Sequence, residues 1–395
     1  MREAVIVTGF RTAVGKARRG RSRALRPEVL GATVLRRVLQ DVAGRLPPEA
    51  LDDVILGCAM PEGAQGLNMA RLIALQAGLP ESVPAMTVNR FCASGLQAIA
   101  QAAERIVAGG ADAILAGGVE SMSYVPLSGF RMAPSPDLLA AGAWEGYMAV
   151  GLTAERVAEQ YGVTRAAQDE FALRSHTRAA AAVAAGVFRD EIVPVRFEEV
   201  ALGADGRPER RTLTLDADEH LRRGTTLETL AKLRPSFKEG GTVTAGNSSP
   251  LSDGAAGVLV MERRRAEALG LTPRLRLAAF AVAGVPPALM GIGPIRAIPK
   301  ALERAGLRLA DLDLVELNEA FAAQAVAVIR AVGLSEEQVN VNGGAIALGH
   351  PLGATGAKLT VQLLNELRRR GGRYGMVTMC IGGGQGAAGI FERLN

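Results

Sequence analysis

Cys92 and His350 are two residues whose side chains and sequence surroundings suit a catalytic role. Cys92 follows a predicted strand and stands in the first turn of a predicted helix, where free backbone N–H groups and the helix dipole favour a thiolate. His350 is flanked by Gly349 and Pro351, which fits a rigidly held general base better than a histidine packed in a core. The pair is a candidate nucleophile and base, although a buried, unreactive Cys92 remains an alternative.

Cys380 is a third candidate, because it ends a predicted strand and is followed closely by Gly382, Gly383 and Gly384. Glycines let a ligand approach the backbone and leave N–H groups free to bind an oxyanion. The remaining cysteine, Cys58, is predicted to be a packed core residue. Three cysteines argue against a disulfide framework, and the three histidines are not spaced with them as metal ligands. No metal site is therefore predicted.

The elements that must position these residues occur twice in the chain. Residues 51–57 resemble residues 312–318, and the dipeptide Val-Asn at 88–89 recurs at 341–342. After each dipeptide come a turn with one candidate residue, an amphipathic helix, a pair of glycines and a buried strand. This order implies parallel strands covered by helices. If the two α/β halves are related by a pseudo-twofold axis, the two turns face one central cleft.

The composition limits the possible partners. Charged residues make up 22% of the 395 residues and the formal net charge is +5, with the densest basic stretch from Lys16 to Arg26. This stretch is predicted to be a solvated loop, with a surface that attracts phosphates as the alternative. No aromatic residue interleaves with it, which argues against nucleic-acid binding. No apolar run is long enough to span a membrane and the first residues do not resemble a secretory signal, so a cytoplasmic location is expected.

Residues 384–389 match the Gly-x-Gly-x-x-Gly pattern of dinucleotide-binding proteins. That pattern requires a following helix and a second strand within about 30 residues, whereas the sequence ends at Asn395. We therefore interpret these residues as a tight turn and a last strand, Gly386 to Leu394, rather than as a cofactor site.

Four longer segments resemble the motifs of the thiolase family. In order, they are VNRFCASGLQA at residues 88–98, NEAFA at 318–322, NGGAIALGHPLG at 342–353 and CIGGG at 380–384. The resemblance runs from Val5 to the C-terminus, and four long motifs in the same order are highly specific to this family.

The resemblance implies the thiolase fold, an α/β architecture of two duplicated βαβ-type halves with mixed five-stranded sheets covered by helices, plus an inserted loop domain. The expected N-terminal half core covers residues 1–120, and the C-terminal half core covers residues 274–395. Between them, residues 121–250 are expected to form an inserted loop domain that binds CoA and whose end returns to the N-terminal core. Residues 251–273 are expected to complete that core and to form a linker. The insertion is polar and predicted to be largely loop, with one clear helix that begins at Thr164 and stops at Gly186.

By the same resemblance, the chain would be an acyltransferase that makes or cleaves 3-oxoacyl-CoA through an acyl-cysteine. Cys92 would carry the acyl group, and His350 would deprotonate it. Cys380 would protonate or generate the acetyl-CoA carbanion, and Asn318 would hold a water that, with His350, stabilises the enolate oxygen. The backbone N–H groups of Cys92 and Gly382 would form a second oxyanion hole.

The resemblance also implies that CoA and acyl-CoA are substrates, that no cofactor is needed, and that the chain forms a homodimer or homotetramer. Arg222 would lie near the CoA nucleotide and Ser249 along the pantetheine arm. Further expected contacts are Thr229, Phe237, Leu251, Met290 and Phe321. For Arg222, a role as a surface salt-bridge partner is the alternative.

Among thiolases, a 3-ketoacyl-CoA thiolase of fatty-acid β-oxidation is preferred. Ala149 and Val150 stand where acetoacetyl-CoA thiolases often carry a His-Met pair. An acetoacetyl-CoA-specific acetyl-CoA C-acetyltransferase is the alternative. A ketosynthase is disfavoured by Cys380. A non-catalytic, lipid-binding relative would be expected to lose one of the catalytic positions, and this sequence keeps them.

Overall fold

Strands and helices alternate along most of the chain, and the computed structural model describes residues 2–202 and 207–394. The strands are β1 (Ala4–Thr12), β2 (Gly15–Lys16), β3 (Asp53–Gly57), β4 (Ala85–Val88), β5 (Ala113–Ser121), β6 (Ile192–Val193), β7 (Val195–Leu202), β8 (Pro208–Leu215), β9 (Ser252–Glu262), β10 (Leu275–Gly284), β11 (Leu314–Leu317), β12 (Tyr374–Ile381) and β13 (Gln385–Arg393). The helices are α1 (Pro27–Asp41), α2 (Met69–Ala77), α3 (Ser94–Val107), α4 (Pro136–Ala140), α5 (Val150–Gln160), α6 (Arg165–Ala184), α7 (Leu227–Ala231), α8 (Arg263–Ala268), α9 (Gly293–Ala305), α10 (Ala322–Val332), α11 (Ala345–Leu348) and α12 (Leu352–Arg370). Within the described ranges, no helix combines the length and the apolar character needed to cross a membrane.

The first half contains a mixed five-stranded sheet, as predicted. Its strand order is β1-β9-β5-β3-β4. β3 lies parallel to both β4 and β5, whereas β9 is antiparallel to β5 and to β1. Because β3 and β4 are parallel, their carboxyl ends lie at the same edge of the sheet, and the chain leaves β4 there to form the turn with Cys92.

The second half repeats this arrangement, except that its fifth strand is reduced to a single bridge. β11 lies parallel to β12, and β13 is antiparallel to β12 and to β10. In the place of a fifth strand, Val339 makes an isolated parallel bridge to Val315 of β11. β10 also pairs with β1 at Val5 and Ile6. The two halves therefore form one continuous sheet, because each half supplies a strand that covers an edge of the other.

Helices α3 and α12 pack against each other in the middle of the molecule. A Cβ atom on Gly356 would lie 2.4 Å from the backbone nitrogen of Leu96, and one on Gly95 would lie 2.8 Å from that of Ala357. Only glycine allows this close approach. Because α3 begins just after Cys92 and α12 just after His350, the contact brings the two candidate turns to one region.

Other helices cover the outer faces of the sheet. α1 and α2 share a buried apolar cluster with the first half, and α9 and α10 share one with the second half. A third cluster contains α3, α12 and the faces of both halves that meet them. Each half of the continuous sheet forms one layer, so the layers run helix, sheet, helix, sheet, helix, which confirms the predicted α/β class.

The insertion is more ordered than predicted. The helix expected after Thr164 is present as α6, and the Thr164 hydroxyl accepts the N–H of Ala167 at 3.2 Å. The expectation that the rest is loop is wrong, because α4, α5, α7 and the antiparallel hairpin of β7 and β8 also belong to this segment. Residues along β7 alternate between buried or half-buried and exposed, as expected for a strand with one covered face.

The Gly-x-Gly-x-x-Gly pattern has the interpretation that the sequence suggested. Gly384 has a φ of 85°, in the region that favours glycine, and the residues after it form β13 between β12 and β10. A strand paired on both sides leaves no strand–turn–helix unit for a dinucleotide.

Candidate active site

Cys92 stands in a short 3₁₀ turn, Phe91–Ala93, between β4 and α3. Phe91 has a φ of 43°, in the left-handed region that non-glycine residues rarely adopt. The Ser94 hydroxyl holds the turn: it accepts the Arg90 N–H at 2.8 Å and donates to the Phe91 carbonyl at 2.7 Å. The turn therefore places Cys92 at the start of α3, where the sequence predicted it.

The Cys92 residue is buried, with 8% of its surface exposed. Burial raises the pKa of its thiol to about 12, while hydrogen bonds from the backbone N–H groups of Gly382 and of Cys92 itself act in the opposite direction. The buried Glu120 adds to the increase. Desolvation therefore opposes the thiolate that the helix start favours, because its effect on the pKa is larger than that of these donors. A base must take the proton when the thiol reacts.

Cys380 lies near the end of β12 and is fully buried. Burial raises the pKa of its thiol, and the neighbouring Cys92 raises it further. The two sulfur atoms therefore share one site in which both are protonated at rest. Cys58 is also fully buried, and burial raises the pKa of its thiol. It belongs to the core, as predicted.

The His350 ring is held at both nitrogen atoms. Nδ1 lies 2.6 Å from the Thr355 hydroxyl, which donates to the Pro351 carbonyl at 3.0 Å. Because that hydroxyl has a single proton, it must accept one from Nδ1, which leaves the lone pair on Nε2. Burial, and after it the Lys358 cation, lowers the pKa of His350 to about 3. His350 is therefore a neutral imidazole that can act as a base at Nε2.

Asn318 lies beside the base. Its side-chain Nδ2 donates to His350 Nε2 at 3.2 Å, and its backbone N–H donates to the Thr378 carbonyl at 2.9 Å. Its Oδ1 is buried and has no hydrogen-bond partner among the described residues. The amide thus touches the imidazole directly, and a role in holding a water stays a prediction.

Side chains that sequence reasoning missed support these groups. The Ser252 hydroxyl accepts the His350 backbone N–H at 2.9 Å and donates to the Pro250 carbonyl at 2.7 Å. Glu120 accepts the N–H groups of Ala59 at 2.8 Å and Gly353 at 2.9 Å. Glu120 therefore ties the segment after β3 to the start of α12. No local pattern marks either residue, since their partners are remote in sequence.

A cavity of about 270 Å³ lies beside this site. Its lining comprises His176, His220, Arg222, Arg223, Gly224, Thr225, Thr229, Leu230, Leu233, Ala245, Gly246, Ser248, Pro250 and Ile346. Arg222 is exposed at this lining, whereas the Thr229 hydroxyl is used in capping α7 through the N–H and carbonyl of Thr226. Two of the expected CoA contacts, Arg222 and Thr229, therefore lie at one cavity.

The other expected CoA contacts lie outside the cavity lining. Ser249 sits between two lining residues, and its backbone N–H donates to the Ala320 carbonyl at 3.0 Å. Leu251 and Phe237 are exposed, and the Phe237 ring lies 5.9 Å from that of Phe321 in an edge-to-face arrangement. Met290 and Phe321 are buried in the core of the second half. Phe321 adjoins the cavity, because it forms an isolated β-bridge with the lining residue Ser248.

Two histidines of the cavity were not predicted from sequence. Burial, and after it the Arg222 cation, lowers the pKa of His176 to about 4. Burial also lowers the pKa of His220 to about 4, although its hydrogen bond to the Gly15 carbonyl, 3.1 Å long, acts in the opposite direction. Both rings are therefore neutral near pH 7 and leave the arginines as the cations of this cavity.

Three of the six basic side chains from Lys16 to Arg26 form ion pairs with carboxylates of the described residues, those of Arg21, Arg23 and Arg26. Arg23 pairs with Glu199, and the Arg26 guanidinium donates to Glu28 at 3.1 Å. These pairs fit a solvated, ion-paired surface at the three arginines, and the phosphate-attracting alternative stays a prediction for the rest of the stretch. Throughout residues 2–202 and 207–394, no group of three or more His, Cys, Asp or Glu side chains could hold a metal ion.

Two family models match the chain in succession. The model described as "Thiolase, N-terminal domain" matches residues 4–264, and the one described as "Thiolase, C-terminal domain" matches residues 271–393. Together they span most of the sequence and contain every candidate catalytic residue.

Individual proteins are similar over almost their whole length. The 3-ketoacyl-CoA thiolase of Bacillus subtilis (strain 168) is 56% identical over 392 residues, covering 99% of this chain and 100% of the relative. The peroxisomal 3-ketoacyl-CoA thiolase A of Mus musculus is 50% identical over 391 residues, covering 99% of this chain and 91% of the relative. The crystal structure of the Bacillus anthracis acetyl-CoA acetyltransferase superposes with a TM-score of 0.90 at 41% identity, covering 100% of this chain and 99% of that one. The chain therefore belongs to the thiolase family and is an acyltransferase, as its motifs predicted.

Proposed function

We propose that this chain is a 3-ketoacyl-CoA thiolase that catalyses the reversible reaction acyl-CoA + acetyl-CoA = 3-oxoacyl-CoA + CoA. One observation carries the proposal: the thiols of Cys92 and Cys380 are neighbours, and the Gly382 N–H is directed at the Cys92 sulfur. His350 and Asn318, which are 3.2 Å apart, supply a neutral base and an amide donor, and α12, which begins just after His350, packs against the turn that holds Cys92. Such a site combines a nucleophile, a base, a second acid and an oxyanion site.

In the first half of thiolysis, Cys92 cleaves the 3-oxoacyl-CoA. His350 Nε2 takes the thiol proton, and the sulfur bonds to the 3-oxo carbon. The bond between C2 and C3 then breaks, its electron pair passes to the acetyl-CoA carbanion, and the Cys380 thiol protonates that carbanion. The N–H groups of Cys92 and Gly382 stabilise the oxyanion on the 3-oxo oxygen, while protonated His350 and Asn318 stabilise the thioester enolate.

In the second half, CoA removes the acyl group from Cys92. The Cys380 thiolate takes the proton of the CoA thiol, and the CoA sulfur bonds to the acyl carbon. The bond from that carbon to Cys92 breaks, and the departing thiolate recovers its proton from His350. Each group ends in its starting protonation state. The neutral resting forms that burial imposes on both thiols and on the imidazole fit this cycle, because charge appears only in the presence of substrate.

CoA is proposed to enter through the cavity that contains Arg222, with its phosphates near that side chain and its thiol toward Cys92. An exposed guanidinium at a concave surface suits a nucleotide phosphate. CoA acts as a substrate, and the chemistry requires no further cofactor. Assembly as a homodimer or homotetramer and a cytoplasmic location stay predictions.

The preference for longer 3-oxoacyl chains rests on two supports. Ala149 precedes α5 and is exposed, and Val150 begins that helix and packs against the core of the second half, so this chain lacks the His-Met pair that acetoacetyl-CoA thiolases often carry there. The relatives from Bacillus subtilis and Mus musculus carry the name 3-ketoacyl-CoA thiolase. The likeness to an acetyl-CoA acetyltransferase structure supports the second candidate, an acetoacetyl-CoA-specific acetyl-CoA C-acetyltransferase.

The test is thiolysis by the purified protein across a series from acetoacetyl-CoA to 3-oxohexadecanoyl-CoA, with Cys92→Ser as the background control. We expect kcat/KM to rise from acetoacetyl-CoA to the medium-chain substrates. A maximum at acetoacetyl-CoA, with little cleavage of longer chains, would favour the second candidate instead. Absence of cleavage for every chain length would contradict both.

A further inference from the structure

A second concavity, here called the arginine pocket, lies at the end of α12 remote from His350. It has a volume of about 500 Å³, and its charged lining consists of Arg37, Arg189, Arg274, Arg368, Asp41 and Asp190. Arg368 lies near the end of α12, about 24 Å along the helix from Leu352 at a rise of about 1.5 Å per residue. The arginine pocket shares no lining residue with the cavity around Arg222. The arginine pocket is therefore separate from the reacting groups and from the proposed CoA site.

The charges of the arginine pocket are unbalanced. Four arginines and two aspartates leave an excess of two positive charges. Arg37 is fully engaged, since it lies 3.2 Å from Asp41 and stacks 4.0 Å from the centre of the Phe10 ring. Arg368 is only loosely paired, at 3.7 Å from Asp190. The excess charge therefore resides on Arg189 and Arg274, for which the described part of the chain shows no side-chain hydrogen bond or ion pair.

Arg274 is the most informative of these residues, because it is half-buried and its backbone is fixed. Its N–H donates to the Ile6 carbonyl, and its carbonyl accepts the Leu394 N–H, both at 2.9 Å. Burial lowers the pKa of its guanidinium, and the cations of Arg368 and Arg45 act in the same direction, against the attraction of Asp41. A half-buried cation beside other cations favours a bound anion that offsets their repulsion.

The chemistry of the arginine pocket selects the class of anion. Guanidinium groups present a planar fork of N–H donors that matches phosphate oxygens. The volume exceeds what a single inorganic ion fills, and falls in the range of small-molecule sites. Part of the wall is apolar, with Ile192, Val193 and Pro194, so it can contact an organic group attached to the phosphate.

We propose that the arginine pocket binds a phosphorylated small molecule, through Arg189 and Arg274, independently of CoA bound for catalysis. The probes are inorganic pyrophosphate and ADP, titrated calorimetrically into the purified full-length protein at low salt with the proposed CoA site saturated by CoA. We expect both to bind to the wild type. Tighter binding of ADP would identify a nucleotide-type ligand, and equal binding would identify the phosphates alone as the recognised group.

The test variant is Arg189→Gln combined with Arg274→Gln, which we expect to weaken binding by about tenfold or more, as for the loss of two charged contacts. The matched control is Arg296→Gln with Lys300→Gln, which removes the same charge from exposed positions of α9 and should leave the affinity unchanged. Arg274→Lys keeps the charge and tests whether any loss reflects misfolding, and thermal melting and thiolysis are measured on every variant.

Three results would overturn the proposal. One is that neither probe binds to the wild type, with or without CoA. Another is that the control weakens binding as much as the test variant, since the effect would then be one of net charge alone. The third is that the probes bind only without CoA and bind the test variant normally, which would assign them to the cavity around Arg222.

Discussion

The turn that holds Cys92 and the turn that holds His350 occupy equivalent places in the two halves, yet they are built differently. In the first half, β4 ends at Val88, and the 3₁₀ turn with Cys92 follows almost at once. In the second half, the equivalent Val341 lies outside any strand, and α11 intervenes before His350. The turn between the repeated elements is therefore short in the first half and long in the second half.

The two residues also differ in what surrounds their reactive atoms. The Cys92 sulfur accepts hydrogen bonds from two backbone N–H groups, its own and that of Gly382. These donors belong to the backbone and do not depend on a particular side chain. The His350 ring is held by the side chains of Thr355 and Asn318. The nucleophile therefore depends mainly on backbone geometry, whereas the base depends on particular side chains, and substitutions should reveal that difference.

The largest effect is expected for the nucleophile itself. Cys92→Ser should lower thiolysis by about a thousandfold or more, because a hydroxyl is a much weaker nucleophile in the same position. Incubation of the wild type with acetyl-CoA should add an acetyl group to the peptide that contains Cys92, as read by mass spectrometry. An acetyl group on the Cys58 or Cys380 peptide instead would show that Cys92 is not the nucleophile.

The next effect separates the two neighbouring thiols. Cys380→Ser should lower carbon–carbon bond cleavage by about a hundredfold or more, because the second acid is impaired, while Cys92 can still accept acetyl from acetyl-CoA. Acetyl exchange with an added thiol and thiolysis are to be measured separately on this variant and on Cys92→Ser, which should lose both. Near wild-type thiolysis by Cys380→Ser would mean that another acid, His350 first, protonates the carbanion.

A third measurement tests the resting state of Cys92 by pH. Since burial raises the pKa of the thiol to about 12, the thiolate is the minor form below that pH and its fraction increases as pH rises. Alkylation of Cys92 by iodoacetamide should accelerate about tenfold per pH unit between roughly pH 7 and pH 9. A rate that is already constant from neutral pH would indicate a thiolate–imidazolium pair, and would show that the helix start outweighs burial after all.

The smallest effect is expected for a residue that acts on the base through a hydrogen bond. Thr355→Val removes the acceptor of the Nδ1 proton and should lower kcat by about three- to tenfold, as for the loss of one buried hydrogen bond. Thr355→Ser keeps the hydroxyl and should restore most of the activity, and acetylation of Cys92 by acetyl-CoA reports on the base directly. Equal losses in both variants would assign Thr355 to packing rather than to the tautomer of His350.

The duplicated halves and their central turns could be predicted from the sequence because short segments of the chain specify both. Residues 88–98 and 342–353 carry the motifs, and the glycines that end each helix are adjacent to it in the chain. The same reasoning treated the insertion as loop, because α5, α7 and the charged hairpin of β7 and β8 are stabilised by apolar residues that pack in the core clusters of the two halves. Local patterns predict such elements poorly when tertiary contacts supply the stability.

The family motif indicated Asn318 as a partner of the base, but the hydroxyl partner Ser252 was beyond reach for a similar reason. Ser252 lies 98 positions before His350 in the chain, and Asn318 lies 32 positions before it, yet both contact that residue. The duplicated order of elements indicated one central cleft, but it could not indicate which hydroxyl and amide groups would converge there. That convergence depends on the crossing of α3 and α12, which Gly95 and Gly356 allow.

The sequence by itself determined the family, the α/β layers and the identity of the reactive groups, because a nucleophilic thiol, an imidazole and glycine-rich turns are properties of short segments. Only the tertiary structure decided their protonation. Cys92 begins a helix, which by itself favours a thiolate, but the surrounding core excludes water from the sulfur and raises its pKa instead. Desolvation is a property of everything that packs around an atom, and no short segment of the chain encodes it.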